Sequence, residues 1–345
     1  MPSHRQRTHP YRWARYTDEQ LLDLRFCALR LSLKHAVIQP YIERLYRELA
    51  SRGLEFRPHV WLADEWFSPD GVPGFAIPFY LAHPRLARLE RKMMQEVEGG
   101  NANWLMRILR HEAGHAIDTA YRLRRRKDWR EVFGKASTPY PKVYRPQPAS
   151  KKFVLHLGHW YSQTHPTEDF AETFAVWLQP RSRWRREYAD WPALNKLMYV
   201  DGLMSELQNQ KPKVRIRDVI EPLSENTRTL REFYRRELAR YAVESTAAYD
   251  RQLLRVFIPR AEAPRAARAR SLLRAVRPQV TRMLTHDARI HAYQVHNVVR
   301  MILERCRELD LVVRGSPRAA RAALPRLIEH IVFDTLYRRR QQYAL

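Results

Sequence analysis

Apolar and polar positions alternate with a helical period over most of the chain. Thr17 opens the first such stretch: Gln20 three residues on completes a capping box, and Leu21, Leu24, Ala28 and Leu31 recur at helical spacing. A second helix is predicted from about Pro40, a favoured first-turn proline, through Ile42, Leu45 and Leu49 to a glycine stop at Gly53. The period then changes. EFRPHVWLADEWF and VPGFAIPFYLA are aromatic and β-branched segments separated by the turn SPDG, and they read as two strands. Pro73 and Pro78 place the second at a sheet edge, because proline cannot donate to a central ladder.

Helical spacing returns over residues 83 to 98 and again over 102 to 126, where Trp104, Ile108, Leu109, Ala116, Ala120 and Leu123 form the buried stripe. Four prolines make residues 134 to 150 an irregular loop, and KKFVLHL after it is a candidate short strand. A helix over 166 to 179 follows, stopped by Pro180. Beyond 183 the pattern is helical with short breaks, and no internal repeat is present. The class is therefore α+β, with a small, mostly antiparallel sheet in the first half and an all-helical C-terminal region. The expected limits are a flexible basic arm over 1 to 16, a domain over 17 to 210 and an Arg-rich helical region over 225 to 345.

Composition adds one strong feature, a formal net charge of +25 on 345 residues. Residues 251 to 345 carry 20 arginines and no lysine against 7 acidic residues, about half of that excess. Such a surface admits nucleic acid, an anionic membrane or an acidic partner, but the charges interleave with apolar helix positions, and solvated helix faces are the favoured reading. Cys27 and Cys306 sit apart in apolar helical contexts, as buried free thiols do. The basic start lacks an apolar signal core, and no window approaches a membrane span, so a soluble, cytoplasmic protein is expected.

The chemistry lies in HEAGH, residues 111 to 115. Two histidines at i and i+4 share a helical face, with Cβ atoms about 5–6 Å apart, so both imidazoles can reach one ion. Glu112 projects beside such an ion, where a general base must stand to take a proton from water. The pentapeptide alone arises by accident, and a zinc site of this kind needs a third ligand. HPTEDFAETFAVWL, residues 165 to 178, offers Glu168 and Glu172 four apart on one face. One carboxylate can bind the metal while the other accepts a hydrogen bond from the far nitrogen of a ligand histidine. His156, His159 and His165 lack a metal-binding frame, though His165 could orient substrate. Asp118 reads as a partner of Arg122 at i+4 in preference to a supporting acceptor for a ligand.

HEAGH followed by EDFAE resembles the gluzincin class of zinc metallopeptidases (HExxH…E), and in particular an uncharacterised group of bacterial zinc-binding metallopeptidases that pair a HExGH helix with a HPxEDFAET helix. The resemblance covers about residues 100 to 180. It implies a zincin-like core and one Zn²⁺ ion held by His111, His115 and Glu168. Glu112 would be the general base and Glu172 the partner of a ligand histidine. Tyr161, seven residues before Glu168, falls where related lethal-factor-like enzymes place an oxyanion-stabilising tyrosine, with Tyr140 and Tyr144 as rivals in the loop. The metzincin third histidine and the glycine-rich exopeptidase motif are both missing. The expected function is zinc-dependent hydrolysis of peptide bonds in a peptide or protein, with the proline-marked strand as a candidate for pairing with extended substrate. The alternative is a nucleic-acid-associated or regulatory protein whose metal site is structural or whose hydrolysis is incidental.

Overall fold

The computed structural model describes residues 11–141, 147, 149–158, 160–240, 249–286 and 292–338; Tyr144 and His159 lie outside them. Its class is α+β, mostly helical, with two small two-stranded sheets. Residues 1–10 of the expected basic arm are also outside the described residues, whereas Trp13 is buried and its indole donates to the carbonyl of Leu29 at 3.0 Å.

The Thr17–Gln20 capping box forms, but the helix it opens, α1 (Asp18–Leu22), is short. Downstream amides are committed elsewhere: Phe26 N donates to Arg228 O and Cys27 N to Asn226 O, while Arg25 bridges Thr229. A backbone group bonded across the fold cannot also continue a helix. Helix α2 (Gln39–Ala50) starts with its proline in the first turn as expected.

The sheet differs from its expected form. Strands β1 (His59–Ala63) and β2 (Gly74–Pro78) pair in parallel, with His59 opposite Gly74 and Ala63 opposite Pro78. Residues 64 to 73 carry the chain back before β2 begins, so SPDG belongs to a crossover and not to a hairpin. Within that crossover Phe67 forms an antiparallel bridge to Ala76, whose amide donates to the Phe67 carbonyl at 2.8 Å. Successive residues of a strand point their amides to opposite sides, so β2 lies between β1 and Phe67. All five of its residues are buried. Pro73 precedes the strand and Pro78 ends it, so neither marks a free edge, which removes β2 as the edge for an extended substrate. Gly74 is required where it stands, because an added Cβ would lie 2.2 Å from the His59 carbonyl oxygen.

Helices α3 (Pro84–Met94), α4 (Ala102–Tyr121), α5 (Lys127–Phe133), α6 (Pro166–Leu178), α7 (Trp184–Glu187), α8 (Ala193–Glu206) and α9 (Leu230–Arg240) follow. Together with the preceding elements they enclose one apolar cluster running from Trp13 to Tyr234, so residues 230 to 234 share this core although they follow the sequence break at 210 to 225. The KKFVLHL segment is not a strand. It runs irregularly with Val154 buried, and its amides reach side chains, Leu155 N to the Tyr188 hydroxyl and Leu157 N to Glu172.

A second apolar cluster collects α10 (Asp250–Leu253), β3 (Phe257–Pro259), α11 (Ala269–His286), α12 (Ala292–Glu308), β4 (Leu311–Val313) and α13 (Pro317–Arg338). The C-terminal region is thus not all-helical: β3 and β4 pair antiparallel, Phe257 opposite Val313. Three-residue strands carry too little alternation to be read from the sequence. Among the described residues no helix is long and apolar enough to cross a membrane.

Candidate metal centre

Helix α4 begins where the Asn101 side chain accepts from Trp104 N at 3.0 Å and ends where Arg122 turns left-handed at φ 56°. One residue before the first motif histidine, Arg110 makes a forked contact with Glu48 of α2, at 2.7 and 2.9 Å, with both side chains buried. That pair fixes the rotation of α4 against α2. Helix α6 starts with His165 as its cap and Pro166 in the first turn.

The two helices cross at Gly114 and Ala171. A Cβ on Gly114 would stand 2.8 Å from the Ala171 Cα and 3.1 Å from its carbonyl oxygen. Only glycine permits this approach, and the approach brings Glu168, one turn before Ala171, over the histidines. The glycine of HEAGH is therefore a packing residue.

His111 Nε2 lies 3.0 Å from His115 Nε2, His115 Nε2 lies 3.0 Å from Glu168 Oε2, and His111 Nε2 lies 3.2 Å from the same carboxylate oxygen. These three residues form a cluster that could hold a metal ion. A tetrahedral ion with ligands at about 2.0–2.1 Å sets neighbouring ligands roughly 3.3–3.4 Å apart, close to the spacing seen. Two nitrogens and one carboxylate oxygen also match the donor preference of zinc. On geometry and chemistry the residues fit the ion.

The surroundings favour positive charge at this point. Burial alone would lower the pKa of His111, but hydrogen bonds and charge from Glu168 and Glu172 outweigh it and push it up to about 10. Burial acts to raise Glu168, and the charges and hydrogen bonds of His115 and His111 overcome this and hold it well below the usual carboxylate range. Glu172 faces the far nitrogen of His111, Oε1 to Nδ1 at 3.0 Å, while its other oxygen accepts from Leu157 N at 2.8 Å. With Nδ1 on Glu172, Nε2 is the His111 nitrogen that faces the cluster.

Glu112 is buried beside these residues and is not one of the three. Its Oε2 accepts from the hydroxyl of Ser68 at 2.7 Å, on the β1–β2 crossover. The crossover is tied to α4 through Arg124, which bonds Asp118 at 2.7 Å and Asp70 at 2.8 Å. Asp118 thus pairs with Arg124, not with Arg122, because the left-handed turn at Arg122 breaks the i+4 register. Ser68 carries no local sequence signal and was not foreseen.

Of the tyrosines, Tyr161 packs against His111, ring centroids 5.6 Å apart, and burial with the nearby Glu168 raises its pKa well above the ordinary phenol value. The hydroxyl of Tyr140 instead donates to Glu168 Oε1 at 2.6 Å, the oxygen turned away from the histidines. His165 does not face the cluster. Its Nδ1 caps Thr167 N, its Nε2 meets the Thr138 carbonyl at 2.7 Å, and its ring stacks on Tyr140 with centroids 3.9 Å apart. These contacts replace the expected substrate-orienting role with a helix-capping one. His156 is buried with Nε2 on the Arg107 carbonyl, and burial lowers its pKa to about 4, which keeps it neutral.

Residues 87–185 match the family model described as "Putative zinc-binding metallo-peptidase". The matched span holds α4, α6 and every residue of the cluster. A zinc-binding hydrolase acting on a peptide or protein is what that description suggests. No curated protein and no solved structure matches the chain.

Proposed function

We propose that this chain hydrolyses peptide bonds with one zinc ion held by His111, His115 and Glu168, in the HExxH…E arrangement of the gluzincin class. The observation that carries the reading is the convergence of those three donor atoms at 3.0–3.2 Å between helices 53 residues apart in sequence, beside a buried Glu112 that is not a member of the set. A bound zinc ion supplies a Lewis acid that polarises the scissile carbonyl and acidifies water. Glu112 takes the proton of the attacking water and returns it to the leaving amine, while Ser68 orients the carboxylate by donating to Oε2. Glu172 fixes the His111 ring through Nδ1, so that Nε2 serves as the ligand atom. Tyr161, kept protonated beside His111, donates to the oxyanion that develops during attack.

Metal content and cleavage of a quenched fluorescent peptide mixture, measured on the same purified full-length samples, test this. Wild type should carry one zinc ion per chain, and Glu168→Ala should lose it. Glu112→Gln should keep the ion and lose cleavage by at least about 100-fold. Wild-type chain that takes up no zinc removes the proposal, and undiminished cleavage by Glu112→Gln removes Glu112 as the base. If zinc survives Glu168→Ala but not Glu172→Ala, the two glutamates exchange roles.

A further inference from the structure

The metal centre leaves the basic surface of the second cluster without a role. Arg270, Arg274 and Arg277 recur along one face of α11 at helical spacing, as do His296, Arg300 and Arg307 along α12. The two faces meet. Arg270 and Arg274 line an open cavity of about 380 Å³ together with Leu303, Glu304 and Arg307. Further along, burial and then the nearby charges of Arg277 on α11 and Arg300 on α12 lower the pKa of His296. Residues rising along α11 therefore oppose residues descending along α12, and Arg277 and Arg300 follow the cavity's arginines one to two turns on along the same helix faces.

The groove carries almost no compensating charge. Arg307 is paired with Glu304 at 2.6 Å. Among the described residues, Arg270, Arg274, Arg277 and Arg300 have no ion-pair partner. Four unpaired guanidiniums along one groove repel each other, an arrangement relieved by an anion with regular charge spacing. Seven residues of helix separate Arg270 from Arg277, about 10 Å, a length over which a duplex lying along the groove presents one charge per strand for about every 3.4 Å of its axis. Arginine also matches phosphate with forked hydrogen bonds. Among the described residues no aromatic ring lines the cavity to stack on the bases of a single strand, and Leu303 is the one apolar lining residue, too little to anchor a peptide.

We propose that the α11–α12 groove binds the phosphate backbone of duplex nucleic acid without reading its sequence. Fluorescence anisotropy of a labelled 20-base-pair DNA, titrated with full-length protein from 50 to 200 mM salt, is the test. The triple variant Arg270→Gln, Arg274→Gln, Arg277→Gln should lower the slope of log affinity against log salt by about 2 to 3, since each phosphate contact contributes about 0.9. The charge-matched triple Arg88→Gln, Arg183→Gln, Arg186→Gln, at exposed positions of the first cluster, should lower it by less than half as much. Arg300→Gln with Arg307→Gln, on the opposite wall, should lower the slope by about 1 to 2 even if the α11 triple fails to fold. Equal effects of groove and control variants would show that net charge alone binds DNA and overturn the proposal. So would absence of binding by wild type, or competition by polyglutamate as effective, charge for charge, as unlabelled duplex.

Discussion

The two apolar clusters handle charge in opposite ways. Around the first, Glu48, Arg110, Glu112, Asp118, Glu168, Asp169 and Glu172 are all buried, on α4 with His111 and His115 or on the helices α2 and α6 packed against it. Around the second, the buried polar residues are Asn297 and Thr335, and no charged side chain among the described residues is buried. Burying a charge without a partner is costly, so a core assembled for stability alone resembles the second. The first accepts that cost where a carboxylate must hold a histidine, a base or an ion. Buried charge therefore distinguishes the region that holds the candidate metal centre from the C-terminal cluster.

The widest test of the contrast is Glu48→Ala. It leaves Arg110 buried without its carboxylate, next to His111, and should destabilise the first cluster by about 3–5 kcal/mol in urea unfolding, with weaker zinc retention. A loss under about 1 kcal/mol would mean that the pair is dispensable and that α4 is oriented by apolar packing alone.

A smaller effect comes from Glu90 of α3, buried and with one carboxylate oxygen lacking a hydrogen-bond partner. Burial first, then the charges of Glu237 and Glu98 against an opposing pull from Tyr234, push its pKa up to about 8 from 4.5. The folded chain thus holds a proton that the unfolded chain has released. That stabilisation is full below pH 4.5 and is lost as pH rises through about 8. The change between pH 5 and 8 should be on the order of 3 kcal/mol. Glu90→Gln should flatten this part of the profile and leave the protein more stable than wild type at pH 8. An unchanged slope in the variant would assign the pH dependence to other groups.

What could be read beforehand was local. The Thr17–Gln20 box and the spans of α4 and α6 rest on hydrogen bonds and periodicities within a few residues. The grouping of His111, His115 and Glu168 came from spacing together with a family resemblance, and the distances between them add what spacing lacks. What stayed hidden depends on contacts across the fold. Ser68 reaches Glu112 from 44 positions away, and Gly114 was visible as a letter of the motif but not as the point where α6 touches α4. The parallel direction of β2 was masked by a crossover containing a good turn sequence. Arg124 replaced Arg122 because one left-handed residue changed the register, and nothing in the sequence of that helix end marks it.

The smallest effect should come from the second cluster, where the nearest equivalent of the Glu48 pair is Asp250 with Arg305, joined at 2.6 Å but left partly exposed on both sides. The hydrogen bond from Arg305 holds the Asp250 carboxyl below its ordinary value, so its contribution is present above that value and fades as pH falls. Water screens the pair, and Arg305 retains Glu308 at 2.7 Å when Asp250 is neutralised. Asp250→Asn should therefore destabilise by no more than about 1 kcal/mol at neutral pH, and by less in high salt. A loss as large as that of Glu48→Ala, measured in the same denaturant, would mean that the second cluster also depends on a desolvated charge, and burial would no longer distinguish the two regions.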